Sequence, residues 1–177
     1  MFRILISLIL FLGSLLAAVG GNLVQKDLGF RYSLKENGNG SVKYNIPEYS
    51  LESFAAEDGK VYKRPVMMDA GQVSDEGQPD LPSSSTFIAI NPQKTYSISV
   101  NVVSSSVTEN IEILPKNSWD NNSEITFEKG ASYNSQGHYP EKIAIISEPM
   151  TMRELTLVNL TVTPFRYYAQ EKRLEEF

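Results

Sequence analysis

Large apolar side chains alternate with polar or small ones along most of the chain, and this period-two pattern predicts β-strands with one buried face. The large residues of the segment LGFRYSLK are Leu28, Phe30, Tyr32 and Leu34. The tetrapeptide NGNG at 37–40 then predicts a tight turn, because asparagine and glycine tolerate positive φ. Alternation resumes at Val42, Tyr44 and Ile46, so the two segments predict a hairpin.

Further strand-like runs follow at short intervals. Asp58-Gly59 predicts a turn between YSLESF and KVYKRPVMM, in which Pro65 indicates an edge or irregular strand. FIAI, at 87–90, predicts a short buried strand. The other predicted strands are TYSISVNVV (with Tyr96, Ile98, Val100 and Val102 on one face), IEIL (111–114), EITF (124–127), KIAII (142–146) and RELTLVNLTVTPF (153–165).

The last of these runs changes parity, because Leu155 and Leu157 alternate in one phase and Val158, Leu160 and Val162 in the other. This shift predicts a β-bulge near residue 158 or a strand buried on both faces. No long window after residue 20 shows the spacing of an amphipathic helix. The pattern therefore predicts an all-β fold, an antiparallel β-sandwich that resembles a jelly roll.

The first twenty residues have the composition of an export signal. Arg3 gives a positive start, residues 4–16 are an apolar core, and Ala18 and Gly20 are the small residues of a cleavage site before Gly21. The apolar run is shorter than the roughly 20 residues that span a bilayer. We expect a signal peptide at 1–20, one β-sandwich domain at 21–177, and a secreted or cell-surface location after passage through the periplasm.

The composition of the chain limits which partners and which kinds of catalytic or metal site are possible. The net charge is −5 and the chain has no long basic run, so neither nucleic acid nor an anionic membrane surface is an expected partner after signal cleavage. The chain has no cysteine and one histidine, His138, in a Gly-His-Tyr-Pro turn. No metal-ligand or phosphate-loop spacing occurs. We therefore expect no catalytic set, no metal and no cofactor within these residues.

A polar segment from Pro115 to Tyr139 is the longest departure from the strand pattern, and loops of this kind often carry function. Asp120, Asn122 and Glu124 alternate as calcium ligands do, but the later positions of a calcium loop are absent, so a solvated loop is the expectation. Trp119 could stack on a sugar or a protein partner, or fold back over the sandwich edge. Three glycosylation sequons occur, at Asn39, Asn121 and Asn159, but such short motifs arise often by chance and do not imply glycosylation.

The hexapeptide GQPDLP at 77–82 is a rigid, extended entry into a strand, because its prolines fix φ and Gly77 allows a turn. With the downstream residues, it resembles the amino-terminal propeptide of gingipain-type cysteine peptidases over residues 28–177. The matching positions are Gly77, Pro79, Leu81, Pro82, Tyr133, Tyr139, Pro140, Arg153, Pro164 and Tyr167. The chain departs from the family pattern at Arg153-Glu154, where Arg-Gly is common, and at Tyr167-Tyr168-Ala169, where Tyr-Asn-Pro is common.

The resemblance implies a function. Such propeptides assist the folding of a cysteine peptidase domain and block its active site until proteolysis removes them, and the peptidases typically prefer basic residues. A loop lysine could then occupy the specificity pocket. The only basic side chains in the polar segment are Lys116 and Lys129. Lys129 is the preferred candidate, because it follows EITF and precedes a glycine that lets the backbone turn away. The family also implies the envelope of a Gram-negative bacterium and export by the type IX system.

Two functions from different classes follow from these observations. The first is a non-catalytic propeptide of a secreted gingipain-like cysteine peptidase, with that peptidase domain as its partner in cis or in trans and the full precursor a cysteine endopeptidase. The second is a standalone extracellular binding module, an adhesin or carbohydrate-binding sandwich that uses Trp119. Quenching of tryptophan fluorescence by sugars would favour the second.

Overall fold

The computed structural model describes residues 2–6, 29–34, 40–56, 59–72, 74–93, 96–119 and 125–177. These ranges are mostly strands, and the only helical turn among them is a short 3-10 helix, Ala131–Tyr133. No helix in these ranges has the length and apolar character needed to cross a membrane. The all-β fold predicted from the alternation is confirmed.

The strands are defined here in chain order. They are β1 (Phe2–Ile6), β2 (Phe30–Leu34), β3 (Gly40–Tyr44), β4 (Tyr49–Ala55), β5 (Val61–Met67), β6 (Gly71–Gln72), β7 (Pro82–Ile90), β8 (Ile98–Val102), β9 (Ser106–Thr108), β10 (Ser118–Trp119), β11 (Ile125–Thr126), β12 (Ala144–Ile146), β13 (Met150–Met152), β14 (Leu155–Val162), β15 (Phe165–Tyr168) and β16 (Arg173–Glu176).

Two antiparallel sheets form the sandwich. The first has the strand order β2-β3-β1-β8, and the second has the order β12-β14-β7-β6 with β13 paired to β14. Phe30, Val42 and Tyr44 of the first sheet pack on residues of β7 and β14 in one buried cluster. The side chains from the second sheet in this cluster are Ile88, Ile90, Ala144, Val158, Leu160 and Val162. Alternation along each strand thus produces the core, because every second side chain faces the opposite sheet.

Tyr44 joins the two sheets by both packing and hydrogen bonding. Its ring lies 4.9 Å from that of Phe30, centroid to centroid, and its hydroxyl lies 3.0 Å from the Ser84 hydroxyl across the core. Burial raises the pKa of Tyr44 to about 12. The phenol therefore stays neutral, and its one polar atom has a partner inside an apolar layer.

A second cluster lies beside the sandwich, where the three-stranded sheet β15-β16-β9 meets the hairpin of β4 and β5. Phe165 is fully buried there, and its ring meets that of Tyr49 edge to face at 5.0 Å. The other buried members of the second cluster are Met67, Leu81, Ile111, Ile113, Tyr133, Tyr167 and Leu174. This cluster matters for function because the polar segment starts and ends on it.

Both predicted hairpins are present. Strands β2 and β3 pair from Phe30↔Tyr44 to Leu34↔Gly40, and β4 and β5 pair from Tyr49↔Met67 to Ala55↔Val61. Pro65 lies opposite Leu51 in a two-stranded sheet, which fits the predicted edge strand. Residues 35–39, which include most of the predicted NGNG turn, lie outside the described ranges.

Of three local predictions, one is confirmed in part and two were wrong. The strand predicted at FIAI is confirmed as the end of β7, but it is buried on one face only: Ile88 and Ile90 are buried, whereas Phe87 is 55% exposed. No bulge interrupts β14, whose register with β7 is continuous from Thr156↔Ile90 to Val162↔Ser84. Leu155 is exposed and pairs with Met152 of β13 in the same sheet, so the parity shift reflects apolar side chains on the outer face of β14 as well as on its core face.

The second wrong prediction is the strand IEIL. Residues 111–114 form no strand, although Ile111, Ile113 and Leu114 are buried. Their backbone makes a single parallel bridge, Lys63↔Ile113. Burial on one side by the second cluster explains the alternating pattern without a sheet ladder.

At the amino terminus, Phe2–Ile6 form β1 between β3 and β8, so part of the predicted signal peptide contributes a strand. Residues 7–28 lie outside the described ranges. Cleavage before Gly21 therefore stays a prediction. Strand β8 confirms the strand expected in TYSISVNVV, but Val100 and Val102 are each 39% exposed.

Candidate functional site

The polar segment leaves the second cluster as a hairpin. After Lys116 the chain forms β10, which pairs with β11 through Ser118↔Thr126 and Trp119↔Ile125. It then returns through Glu128 to Gly130 and closes with the 3-10 helix Ala131–Tyr133. We call residues 117–129 the projecting hairpin, of which 120–124 lie outside the described ranges.

Both ends of the projecting hairpin meet the turn formed by Asp75 to Gln78, which we call the Gly77 turn. The Gly77 amide donates to the Lys116 carbonyl at 3.0 Å, and the Gly77 carbonyl accepts from the Gly130 amide at 2.7 Å. The Lys116 amide in turn donates to the Gln78 carbonyl at 2.7 Å. The first residues of GQPDLP therefore contact both stems of the hairpin.

Lys116 is held against a buried carboxylate. Its Nζ lies 3.8 Å from Asp80 Oδ1 and 3.2 Å from the Gln72 Oε1 acceptor. Arg64 Nη1 lies 3.9 Å from the other Asp80 oxygen. The Asp80 side chain is only 2% exposed, although it lies in a polar, turn-rich part of the sequence. Burial raises the pKa of the Asp80 carboxyl above its ordinary value, and the Lys116 and Arg64 cations oppose that shift.

Lys129 lies at the other stem and is partly exposed. Its Nζ donates to Glu112 Oε2 at 3.1 Å and lies over the rings of Tyr62 and Tyr133, at 4.9 and 5.3 Å from their centroids. Lys172 pairs with the second Glu112 oxygen at 2.8 Å. Hydrogen bonds from the two lysines hold the pKa of Glu112 below its ordinary value.

Buried tyrosines of the family motif support the return stem. Tyr133 donates its hydroxyl to the Ile113 carbonyl at 2.9 Å, and Tyr167 donates to the Ile111 carbonyl at 3.2 Å. Tyr139 pairs with Tyr167 through two backbone hydrogen bonds of 2.9 and 2.7 Å. Burial raises the pKa of Tyr167 to about 12 and raises that of Tyr133 as well, so both phenols remain neutral donors.

The other motif residues have structural positions away from the hairpin. Leu81 and Pro82 are buried where β7 begins, and the Pro164 carbonyl accepts from the Phe177 amide at 3.0 Å. Arg153 lies exposed in the turn between β13 and β14 with φ of 56°, and Glu154, where glycine is common in the family, follows it in the same turn.

The remaining candidates are not brought together. His138 is exposed, its Nδ1 lies 3.0 Å from the Pro140 carbonyl oxygen, and its ring meets that of Tyr168. The calcium-like trio at 120–124 and the Trp119 side chain lie outside what the structure describes. Within the described ranges, no group of three or more His, Cys, Asp and Glu side chains could hold a metal.

Sequence reasoning missed two residues of this site. Glu112 was not singled out, because it lies within the predicted strand IEIL. A carboxylate between two buried isoleucines is the one signal that indicates a specific partner. Gly130 was noted only for its freedom to turn, whereas its amide bonds to Gly77. No local signal links Gly77 with Gly130, because their contact is made by the tertiary fold.

Comparison with solved structures agrees on the fold. The chain is similar to the complex of the pro- and mature domains of Porphyromonas gingivalis RgpB, with a TM-score of 0.71 and 23% identity, over 85% of this chain and 80% of that one. It is also similar to a structure of gingipain K from the same organism that concerns zymogenic latency, with a TM-score of 0.63 and 17% identity, over 83% and 86% of the two chains.

A match to a sequence family model identifies the family of this chain. The Propeptide_C25 family model matches residues 30–176, and the chain belongs to this family of gingipain-type propeptides. The resemblance carried by the motif is therefore confirmed, and the standalone binding module is not favoured. Among curated proteins, the chain is 28% identical over 145 residues to Gingipain R2 of two Porphyromonas gingivalis strains, ATCC 33277 and W83. The match covers 78% of this chain, which spans about a fifth (19%) of the length of those relatives.

Proposed function

We propose that this domain is the removable propeptide of a secreted gingipain-like cysteine peptidase, which assists folding of the peptidase domain and blocks its active site until proteolysis. Membership of the propeptide family over residues 30–176 supports this role. The blocking of the active site is supported by the projecting hairpin. Its two stems are both hydrogen-bonded to one turn of the scaffold. An inhibitory segment held in this way loses less entropy when it binds.

Within the projecting hairpin we propose Lys129 as the side chain that enters the specificity pocket, with Lys116 as the second candidate. The Lys129 side chain is 36% exposed, against 24% for Lys116. Entry into the pocket would replace Glu112 by an acidic group of the peptidase. Exposed ion pairs contribute about 0 to 1 kcal/mol, so this exchange of partners costs little.

The localisation and processing of the chain belong to the same proposal. We propose that residues 1–20 are a signal peptide, that the domain is 21–177, and that the precursor acts outside the cytoplasm. Similarity to Gingipain R2 of Porphyromonas gingivalis supports this placement. The peptidase domain would be the partner, in cis or in trans.

An inhibition assay tests the proposed function. The chain would be titrated against the gingipain-like peptidase domain encoded in the same genome, with a fluorogenic peptide substrate that has a basic residue at the cleaved bond. We expect competitive inhibition with a dissociation constant below about 1 μM, the range of specific protein complexes.

A matched control separates the hairpin from the rest of the domain. Replacement of residues 117–129, which include Lys129, by a glycine-serine linker of the same length should abolish inhibition and leave the melting temperature nearly unchanged. Absence of inhibition by the wild-type chain, or full inhibition by the linker variant, would overturn the proposal.

A further inference from the structure

We propose that the Gly77 turn is a positioning device for inhibition: it clamps the two stems of the projecting hairpin so that both stems are already held in place when they reach the peptidase. This inference rests on the proposed function. It assigns Gly77 and Gly130 as positioning residues, beyond the plain scaffold role that the sequence predicts for GQPDLP.

One residue of the turn connects the two stems. Gly77 uses its amide to bind the outgoing stem at Lys116, and it uses its carbonyl to bind the returning stem at Gly130. The bond from the Lys116 amide to the Gln78 carbonyl closes the outgoing side a second time. Because these bonds go in both directions from one residue, the separation of the stems is set by the turn itself.

Both glycines are required by close approach of backbone to backbone. A Cβ on Gly130 would lie 2.9 Å from the Gly77 carbonyl oxygen, closer than real Cβ contacts. A Cβ on Gly77 would lie 3.2 Å from both the Glu128 carbonyl oxygen and the Gly130 amide nitrogen. Gly77 also has φ of 75°, a conformation that strains other residues. Backbone atoms cannot swing away as a side chain can, so an added methyl group must push the stem aside.

The Gly77 turn is itself fixed to the core. Ser74 Oγ donates to the Pro79 carbonyl at 2.7 Å and accepts from the Leu81 amide at 3.2 Å. The Asp80 amide donates to the Leu114 carbonyl at 2.9 Å, and the buried strand β7 begins at Pro82. The prolines of GQPDLP remove backbone freedom on the same stretch. The clamp therefore transmits the rigidity of the sandwich to the base of the hairpin.

The test uses glycine-to-alanine variants with matched controls. Gly130 has φ of −81°, which alanine adopts freely, so Gly130→Ala tests the close contact alone. Its control is Gly71→Ala, where the nearest atom to an added Cβ is 4.0 Å away. The control for Gly77→Ala is Gly59→Ala, because Gly59 has a similar φ of 78° and nothing within 4 Å of an added Cβ.

Three readouts distinguish positioning from stability. We expect Gly130→Ala and Gly77→Ala to raise the inhibition constant against the peptidase at least about tenfold beyond their controls, because a loosened hairpin must be ordered on binding. Melting temperatures should differ little within each matched pair. In the absence of the peptidase, endoproteinase Glu-C should cleave after Glu128 faster in the two clamp variants than in the controls.

The outcomes separate this inference from the proposed function. Inhibition constants and Glu-C rates of the clamp variants equal to those of their controls would overturn the clamp while leaving an inhibitory wild-type chain intact. A wild-type chain that does not inhibit the peptidase would overturn the proposed function, and the role of the clamp in inhibition would fall with it even if Glu-C cleavage became faster.

Discussion

At the scale of residues, two carboxylates organise the charges at the base of the projecting hairpin. Asp80 is buried and lies within 4 Å of cations on Lys116 and Arg64. Glu112 is nearer the surface and pairs with Lys129 and Lys172. The pKa values of the two groups shift in opposite directions, because burial dominates at Asp80 and hydrogen bonds from lysine dominate at Glu112.

The role of Lys129 can be separated from that of its ion pair. Lys129→Ala and Glu112→Gln both remove the ion pair between these side chains, but only the first removes the cation. If Lys129 enters the specificity pocket, Lys129→Ala should weaken inhibition at least about tenfold, the loss of about 1.4 kcal/mol. Glu112→Gln should change inhibition less than about threefold, since such pairs contribute little. Equal weakening by both variants, measured in the same assay, would limit Lys129 to a role in the scaffold.

Asp80 should give the domain a characteristic pH dependence. Because its pKa is raised in the folded state, the folded chain binds this proton more tightly than the unfolded chain. The stability that this group contributes is therefore present at low pH and is lost as pH rises from the ordinary value of 3.8 through the raised pKa.

The variant Asp80→Asn resembles the protonated carboxyl at every pH. We expect its stability relative to wild type to increase as pH rises from about 4 to about 7, measured by urea unfolding at each pH. The reverse trend would mean that attraction to Lys116 and Arg64 outweighs burial at this site.

At the scale of elements, β14 has one face in the sandwich core and one outer face. Val158, Leu160 and Val162 face the core, whereas Leu155 pairs with Met152. A pattern based on hydrophobicity assigned both sets to a buried or bulged strand. The pattern could not distinguish them, because apolar side chains also occur on the exposed face of a strand.

Two leucines of β14 test this assignment. Leu160 is fully buried and Leu155 is 56% exposed. Leu160→Ala should lower the free energy of unfolding by about 2 to 5 kcal/mol, through lost burial and a residual cavity. Leu155→Ala should lower it by less than about 1 kcal/mol. Similar losses for the two variants in urea unfolding would contradict the one-sided burial of β14.

At the scale of the whole molecule, the sandwich and the second cluster have different tasks. The sandwich core lies between the two sheets, and the second cluster carries Ile113 and Tyr133 beneath the base of the projecting hairpin. Family motif residues Leu81, Tyr133 and Tyr167 belong to the second cluster. Tyr133 and Tyr167 of the motif therefore support the hairpin, whereas Pro82, Arg153 and Pro164 lie away from it.

Processing of the amino terminus is a prediction about the whole chain. Cleavage before Gly21 would remove Phe2–Ile6, which lie between β3 and β8. We expect intact-mass measurement of the exported protein to show a chain that begins at Gly21, because a positive start, an apolar core and small residues precede that position. An exported chain that still begins at Met1 would contradict the signal peptide and make β1 a permanent part of the sheet.

The sequence by itself determined the class of fold, both hairpins and the family. Alternation records which face of a strand is buried, and turn residues such as Asp58-Gly59 record where the chain reverses, so these features are local. The motif residues were also visible in order along the chain, from Gly77 to Tyr167.

Only the tertiary structure decided how the candidate site is built. The contact between Gly77 and Gly130, the burial of Asp80 and the pairing of Glu112 with Lys129 each join segments that are distant in sequence. Such contacts leave no periodic signal, because they depend on where separate elements pack. The hexapeptide GQPDLP, which the sequence predicts to be a rigid entry to a strand, therefore also supplies Gly77 and Gln78, the two residues that bind the stems of the projecting hairpin.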